Sequence, residues 1–163
     1  MRLATATLGL MFWTVLAQGK TPKAAFAAPV TKQVSQAGYV ATLQWQEGQS
    51  CALSVTLTPA PGYKFNKDYP SRAIFAYSSA LAAARGKQEK VDEQNQKTTL
   101  SKADALELSE KKGVFGLELA SPATGLYDVK AQAKFSTCNE QQCLVHDLKE
   151  SIPCQIKAGT HTP

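Results

Sequence analysis

Four cysteines are the residues of this 163-residue chain best equipped for chemistry, and strand periodicity sorts them into two kinds. Side chains on a strand alternate between faces with a period of two. Cys51 falls in line with Leu53, Val55 and Leu57, while Ala52, Ser54 and Thr56 take the other face, so Cys51 points inward. Cys154 aligns with Ile152 and Ile156 and turns toward a core by the same reasoning. Cys138 continues the face of Lys130, Gln132, Lys134 and Ser136, opposite Val129, Ala131, Ala133 and Phe135, and points to water. Counting back from Ile152 through Leu148 and Leu144 puts Cys143 on the solvent side as well. Four cysteines allow three connectivities; the split into buried and exposed proposes Cys51 with Cys154 as a structural bridge and Cys138 with Cys143 as an exposed one.

The stretch Cys138-Asn139-Glu140-Gln141-Gln142-Cys143 places four residues between two cysteines at the end of an expected hairpin. If the cysteines close it as a non-hydrogen-bonded pair, their Cα atoms lie roughly 4.5 Å apart, within reach of a disulfide. In the chain-entropy model the six-residue loop contributes about 2 kcal/mol, and the loop of more than a hundred residues closed by Cys51 and Cys154 nearly 5 kcal/mol. The short, solvent-facing bridge costs the fold least to open, as a pair that cycles between redox states requires. Lys134, near the same face, would favour a thiolate. The alternative is that the hairpin bridge is a permanent clip, as in many exported domains.

Other chemistry finds less support in the residue pattern. Cys138, Cys143 and His146 could be drawn as metal ligands, but a strand sets Cys143 and His146 on opposite faces and no fourth ligand is evident. His161 sits in a Gly/Thr/Pro tail, and His146-Asp147 adjacency points the two side chains apart, against a Ser-His-Asp arrangement. The carboxylates Asp68, Glu107, Glu110 and Glu118 are not paired for acid and base roles. Tyr63, Phe65 and Tyr69 either form an aromatic ligand edge or pack over the open end of the fold, and the second is favoured. No metal and no cofactor is expected.

The elements that must position the cysteines are strands. Tyr39 to Trp45 and Cys51 to Thr58 alternate around Gln46-Glu47-Gly48-Gln49 as a hairpin, and Arg72 to Tyr77, Ala105 to Leu108, Val114 to Leu119, Tyr127 to Phe135 and Leu144 to Ile156 follow. Tyr63 to Pro70 reads as a long turn. Ser78 to Ser101 offers one or two helical turns at Ala80 to Arg85 and otherwise a solvated loop. Pro153 demotes the last strand to an edge or a bulged position. Seven or eight short strands without a long helix give an all-β chain, an antiparallel sandwich in one domain over 34–158. Arg2 and the apolar run Leu3 to Ala17 read as a signal peptide over 1–17, with a second cleavage site at Ala25-Phe26-Ala27, then a disordered leader over 18–33; 159–163 forms a tail. The run is too short for a comfortable membrane span. The net charge of +5 comes from scattered lysines, without the basic and aromatic patch nucleic acid requires.

The hairpin Phe135-Ser136-Thr137-Cys138 with Cys143-Leu144-Val145, preceded by Gly125-Leu126-Tyr127-Asp128-Val129, resembles the periplasmic N-terminal domain of the DsbD-type thiol:disulfide interchange proteins. That resemblance implies an immunoglobulin-like fold with the exchanging cysteines, here Cys138 and Cys143, on such a hairpin. It implies electrons received from a thioredoxin-like domain and passed to oxidised periplasmic partners. The second pair, Cys51 and Cys154, and a short spacing at Cys138/Cys143 depart from the family pattern. The expected function is therefore an exported thiol–disulfide interchange domain with a thioredoxin-like or other exported protein as partner, and the alternative is a disulfide-stabilised binding or structural module.

Overall fold

The computed structural model describes residues 28–158. The signal peptide expected over 1–17, most of the leader and the 159–163 tail with His161 lie outside the described residues. Twelve strands follow in order: β1 Val30–Gln36, β2 Tyr39–Gln46, β3 Ser50–Pro59, β4 Lys64–Phe65, β5 Arg72–Ser78, β6 Ala82–Ala83, β7 Lys87–Lys90, β8 Asn95–Ser101, β9 Glu107–Leu108, β10 Gly113–Ala120, β11 Gly125–Cys138 and β12 Cys143–Ile156. One sheet runs β1-β2-β3-β10-β6 with β9 beside β10; the other runs β12-β11-β5-β8-β7 with β4 beside β11. Every pairing between these strands is antiparallel.

The two sheets pack face to face because their alternating apolar faces have nowhere else to go. Leu43, Leu53, Val55, Leu57, Phe115, Leu117 and Leu119 from one sheet meet Phe75, Tyr77, Val129, Phe135, Leu148 and Ile152 from the other in a single buried cluster. Leaving aside the two-residue strands β4, β6 and β9, the chain crosses between sheets from β3 to β5, from β8 to β10 and from β10 to β11. That crossing pattern is the one shared by immunoglobulin-like sandwiches. Tyr127, near the start of β11, donates its hydroxyl back to the carbonyl of Ala123 at 3.2 Å, the tyrosine corner of that architecture.

Three differences from the sequence reading have physical causes. Among the described residues the first strand begins at Val30, before the expected boundary at 34, because β1 is held mainly by its ladder to β2, with Val34 its one partly buried apolar residue. Ala80 to Arg85 forms no helix: Leu81 drops into the core, Ala82–Ala83 pairs with β10, and the Arg85 guanidinium donates to the Gly116 carbonyl. The polar run after Gly86 is not a loop but the β7–β8 hairpin, turned by Asp92, whose carboxylate accepts from the Gln94 and Asn95 amides. Its inward face was hard to see because it carries Thr98, fully buried and hydrogen-bonded to the Tyr77 hydroxyl.

β12 is an edge strand, as Pro153 requires. The alternation of the β11–β12 ladder places Pro153 in a non-hydrogen-bonded pair with Asp128, so its missing N–H interrupts nothing. This hairpin of two 14-residue strands carries one cysteine bridge at each end.

Candidate functional site

The tip of the β11–β12 hairpin is built by Asn139. Its side-chain oxygen accepts from the backbone N–H groups of Gln141 and Gln142 at 2.9 and 2.8 Å, and its own N–H donates to the Gln142 carbonyl at 2.9 Å. This turn makes 139/142 the hydrogen-bonded pair, so Cys138 and Cys143 form the non-hydrogen-bonded pair where strands approach most closely. Their Cα atoms are 4.0 Å apart and their sulfurs are bonded. Cys143 is exposed and Cys138 is partly covered. Val145, two residues along the same face from Cys143, is 66% exposed and gives the site an apolar shoulder.

On the other side of Cys138 lies β4, which sequence reasoning read as part of a turn. Its two residues pair with the end of β11, Phe65 with Thr137 and Lys64 with Cys138. One cross-strand row therefore reads Lys64, Cys138, Cys143, and directly opposed residues on a pleated sheet hold their Cβ atoms about 5 Å apart on the same face. Lys64 also sits 3.4 Å from the Glu110 carboxylate. Lys134, singled out from the sequence, is four residues from Cys138 along β11 and pairs with Asp147 and Arg72 instead. Nothing in the local sequence signals Lys64: a two-residue strand among prolines and glycine exists only because β11 is there to receive it.

Beneath the tip the core is tightly furnished. Thr137 Oγ1 and His146 Nε2 lie 2.8 Å apart in a buried hydrogen bond. The His146 ring packs at 4.6 Å from Tyr39 and 4.9 Å from Phe135, and Phe65 stacks on Phe135 at 5.8 Å. Burial pushes the His146 pKa below its ordinary value. Gly38, at φ +87°, turns β1 into β2 directly against this pair, where a Cβ would stand 2.9 Å from Thr137 Oγ1. Phe65 thus joins the core, while Tyr63 and Tyr69 stay half-buried.

The second bridge joins Cys51 on β3 to Cys154 on β12, linking the two sheets, with both residues fully buried. Cys154 lies eleven positions along β12 from Cys143, roughly 35 Å of extended strand. At that end Ile156 bridges to Gly48, and Lys157 donates to the Gly48 carbonyl at 2.8 Å. The remaining sequence candidates do not converge. His146 is buried while Asp147 is exposed and bonded to Gln132. Glu107 pairs with Lys112, Glu118 with Ser50, and Glu110 with Lys64 and Lys67, while Asp68 donates its backbone N–H to the Asn66 side chain. Among the described residues no three His, Cys, Asp or Glu side chains are grouped to hold a metal ion, and no helix is long and apolar enough to cross a membrane.

No protein-family model matches the chain, and no curated protein matches it. Among solved structures, the N-terminal periplasmic domain of ScsB from Proteus mirabilis aligns with a TM-score of 0.40 at 14% identity, covering 80% of this chain and 51% of that one. This chain therefore spans about half the length of that protein chain. AggA, the major subunit of aggregative adherence fimbriae type I from Escherichia coli, aligns with a TM-score of 0.33 at 10% identity, covering 77% of this chain and 99% of that one. Likenesses at these scores carry no argument about activity, and the chemistry rests on the two bridges themselves.

Proposed function

We propose that the chain is an exported thiol–disulfide interchange domain that exchanges electrons through Cys138 and Cys143. The observation that carries this reading is the contrast between its two bridges, one sealed in the core and one at a solvent-facing hairpin tip. Two disulfides suit an oxidising compartment, the periplasm or the cell exterior. Access selects the sulfur that is attacked. A thiolate of a dithiol protein partner, thioredoxin-like in class, attacks Cys143 Sγ; the Cys138–Cys143 bond breaks, a mixed disulfide with Cys143 forms, and Cys138 leaves as a thiolate. Lys64 stands next to Cys138 in the cross-strand row and stabilises that leaving charge. The partner's second thiolate then attacks its own sulfur in the mixed disulfide and releases Cys143. The partner ends as a disulfide and this domain as a dithiol, two electrons having moved, and the reverse sequence reduces an oxidised acceptor.

Equilibration in glutathione buffers followed by thiol trapping tests the reading. Cys138–Cys143 is expected between about −180 and −230 mV, and Cys51–Cys154 below about −300 mV. A Cys138→Ser variant, whose free Cys143 thiolate attacks the disulfide of an oxidised partner and has no Cys138 to resolve the product, should accumulate the mixed disulfide through Cys143. A short bridge as resistant to reduction as the long one would leave a permanently clipped binding module in its place.

A further inference from the structure

A groove of about 460 Å³ opens beside the exposed bridge, and no step of the exchange reaction uses it. Pro59, Pro61 and Tyr63 form its apolar side, with Lys64, Glu110 and Lys111 along the other. Neither cysteine lines it, but Lys64, which does, is the residue whose backbone pairs with Cys138. The two prolines present no N–H donors, so that wall offers rigid apolar contact and the Tyr63 ring rather than a ladder for a further strand. The opposite side is charged with one sign in excess: Lys64 and Lys67 converge on the single Glu110 carboxylate at 3.4 and 3.8 Å, and Lys111 stands exposed beside them.

We propose that this groove docks the segment of the protein partner that flanks its reactive cysteine, an extended stretch bearing acidic residues and an apolar side chain for the proline wall. The inference rests on the redox reading of Cys138–Cys143 and adds to it the chemistry of the partner. A carboxylate on that segment finds the lysine excess, the apolar residue lies on Pro59, Pro61 and Tyr63, and the thiolate is delivered to the tip of the hairpin next to Lys64. Charge complementarity of this kind acts mainly on the rate of encounter.

The test uses two synthetic peptides of equal length, each with one cysteine, one with acidic and one with basic flanks, and dithiothreitol as a small reductant. Rates of mixed-disulfide formation with the oxidised protein are expressed per thiolate. The acidic peptide should react about tenfold faster at low ionic strength, with the advantage shrinking as salt is raised. With the same apolar residue in both peptides, Lys111→Glu should reduce that advantage and Tyr63→Ala should slow both peptides, each leaving the dithiothreitol rate unchanged. Equal rates for the two peptides, an advantage that survives Lys111→Glu, or peptide rates untouched by Tyr63→Ala overturns the groove while reduction by dithiothreitol keeps the redox reading standing. If dithiothreitol cannot open the bridge in the folded protein, the redox reading falls and the groove proposal with it.

Discussion

Tyr39 carries its hydroxyl into the core without a hydrogen-bond partner, and its pKa is raised by burial and by the charges of Glu150 and Asp147. An orphaned buried hydroxyl costs on the order of 1 to 3 kcal/mol. Tyr39→Phe should therefore raise stability by about 1 kcal/mol in urea denaturation, and a loss of that size would reveal a partner for the hydroxyl. His146 makes the complementary prediction about pH. Burial lowers its folded-state pKa, so below the ordinary value of about 6.5 the unfolded chain binds a proton that the native state does not. The unfolded state then holds more protons, and stability rises with pH in that window. Unfolding free energy should be flat from pH 8 to 7, decline as pH falls through 6.5, and level off only below the folded pKa. His146→Phe should flatten that decline, whatever the acid range contributed by Asp147, whose carboxyl the Gln132 amide holds below its usual range.

At the scale of the elements, one long hairpin carries both bridges, yet they constrain the chain unequally. Cys51–Cys154 closes a sequence separation of 103 and joins two sheets; Cys138–Cys143 closes a separation of 5 within a hairpin that 14 residue pairs already hold. Replacing Cys51 and Cys154 with Ala should cost about 4 to 5 kcal/mol, and replacing Cys138 and Cys143 about 2 kcal/mol or less. Equal losses in chemical denaturation would mean that the hairpin tip depends on its bridge as much as the sandwich depends on the buried one. The packing under the tip argues for the smaller loss, because Thr137, His146, Phe135 and Phe65 hold the ends of β11, β12 and β4 together without the sulfurs.

For the molecule as a whole, the two bridges sit at opposite ends of the sandwich, one reachable from water and one not. Gentle reduction of the native protein should produce a discrete species with two free thiols at Cys138 and Cys143. Alkylation and mass mapping would identify them, and far-ultraviolet circular dichroism should stay unchanged because the β11–β12 ladder persists. Reduction of both bridges together, with loss of the sheet signal, would show that the hairpin bridge opens only on global unfolding.

Much of this arrangement was legible in residue periodicity. A two-residue period separated buried Cys51 and Cys154 from the outward-facing Cys138 and Cys143 and turned His146 away from Cys143, because which face a side chain takes along a strand is a local property; the missing N–H of Pro153 pointed separately to an edge or a bulge. The all-β class followed from the same alternation. What stayed hidden depends on partners distant in the chain. β1 is held mainly by its pairing with β2, β4 by its pairing with β11 and by Phe65 stacking on Phe135, β8 buries a threonine because Tyr77 is there to bond it, and Lys64 reaches the row of Cys138 only through β4. Which cysteines face water follows from alternation within a single strand. What stands beside them does not, because hydrogen-bonded registry between strands far apart in the chain leaves no periodic mark in either one.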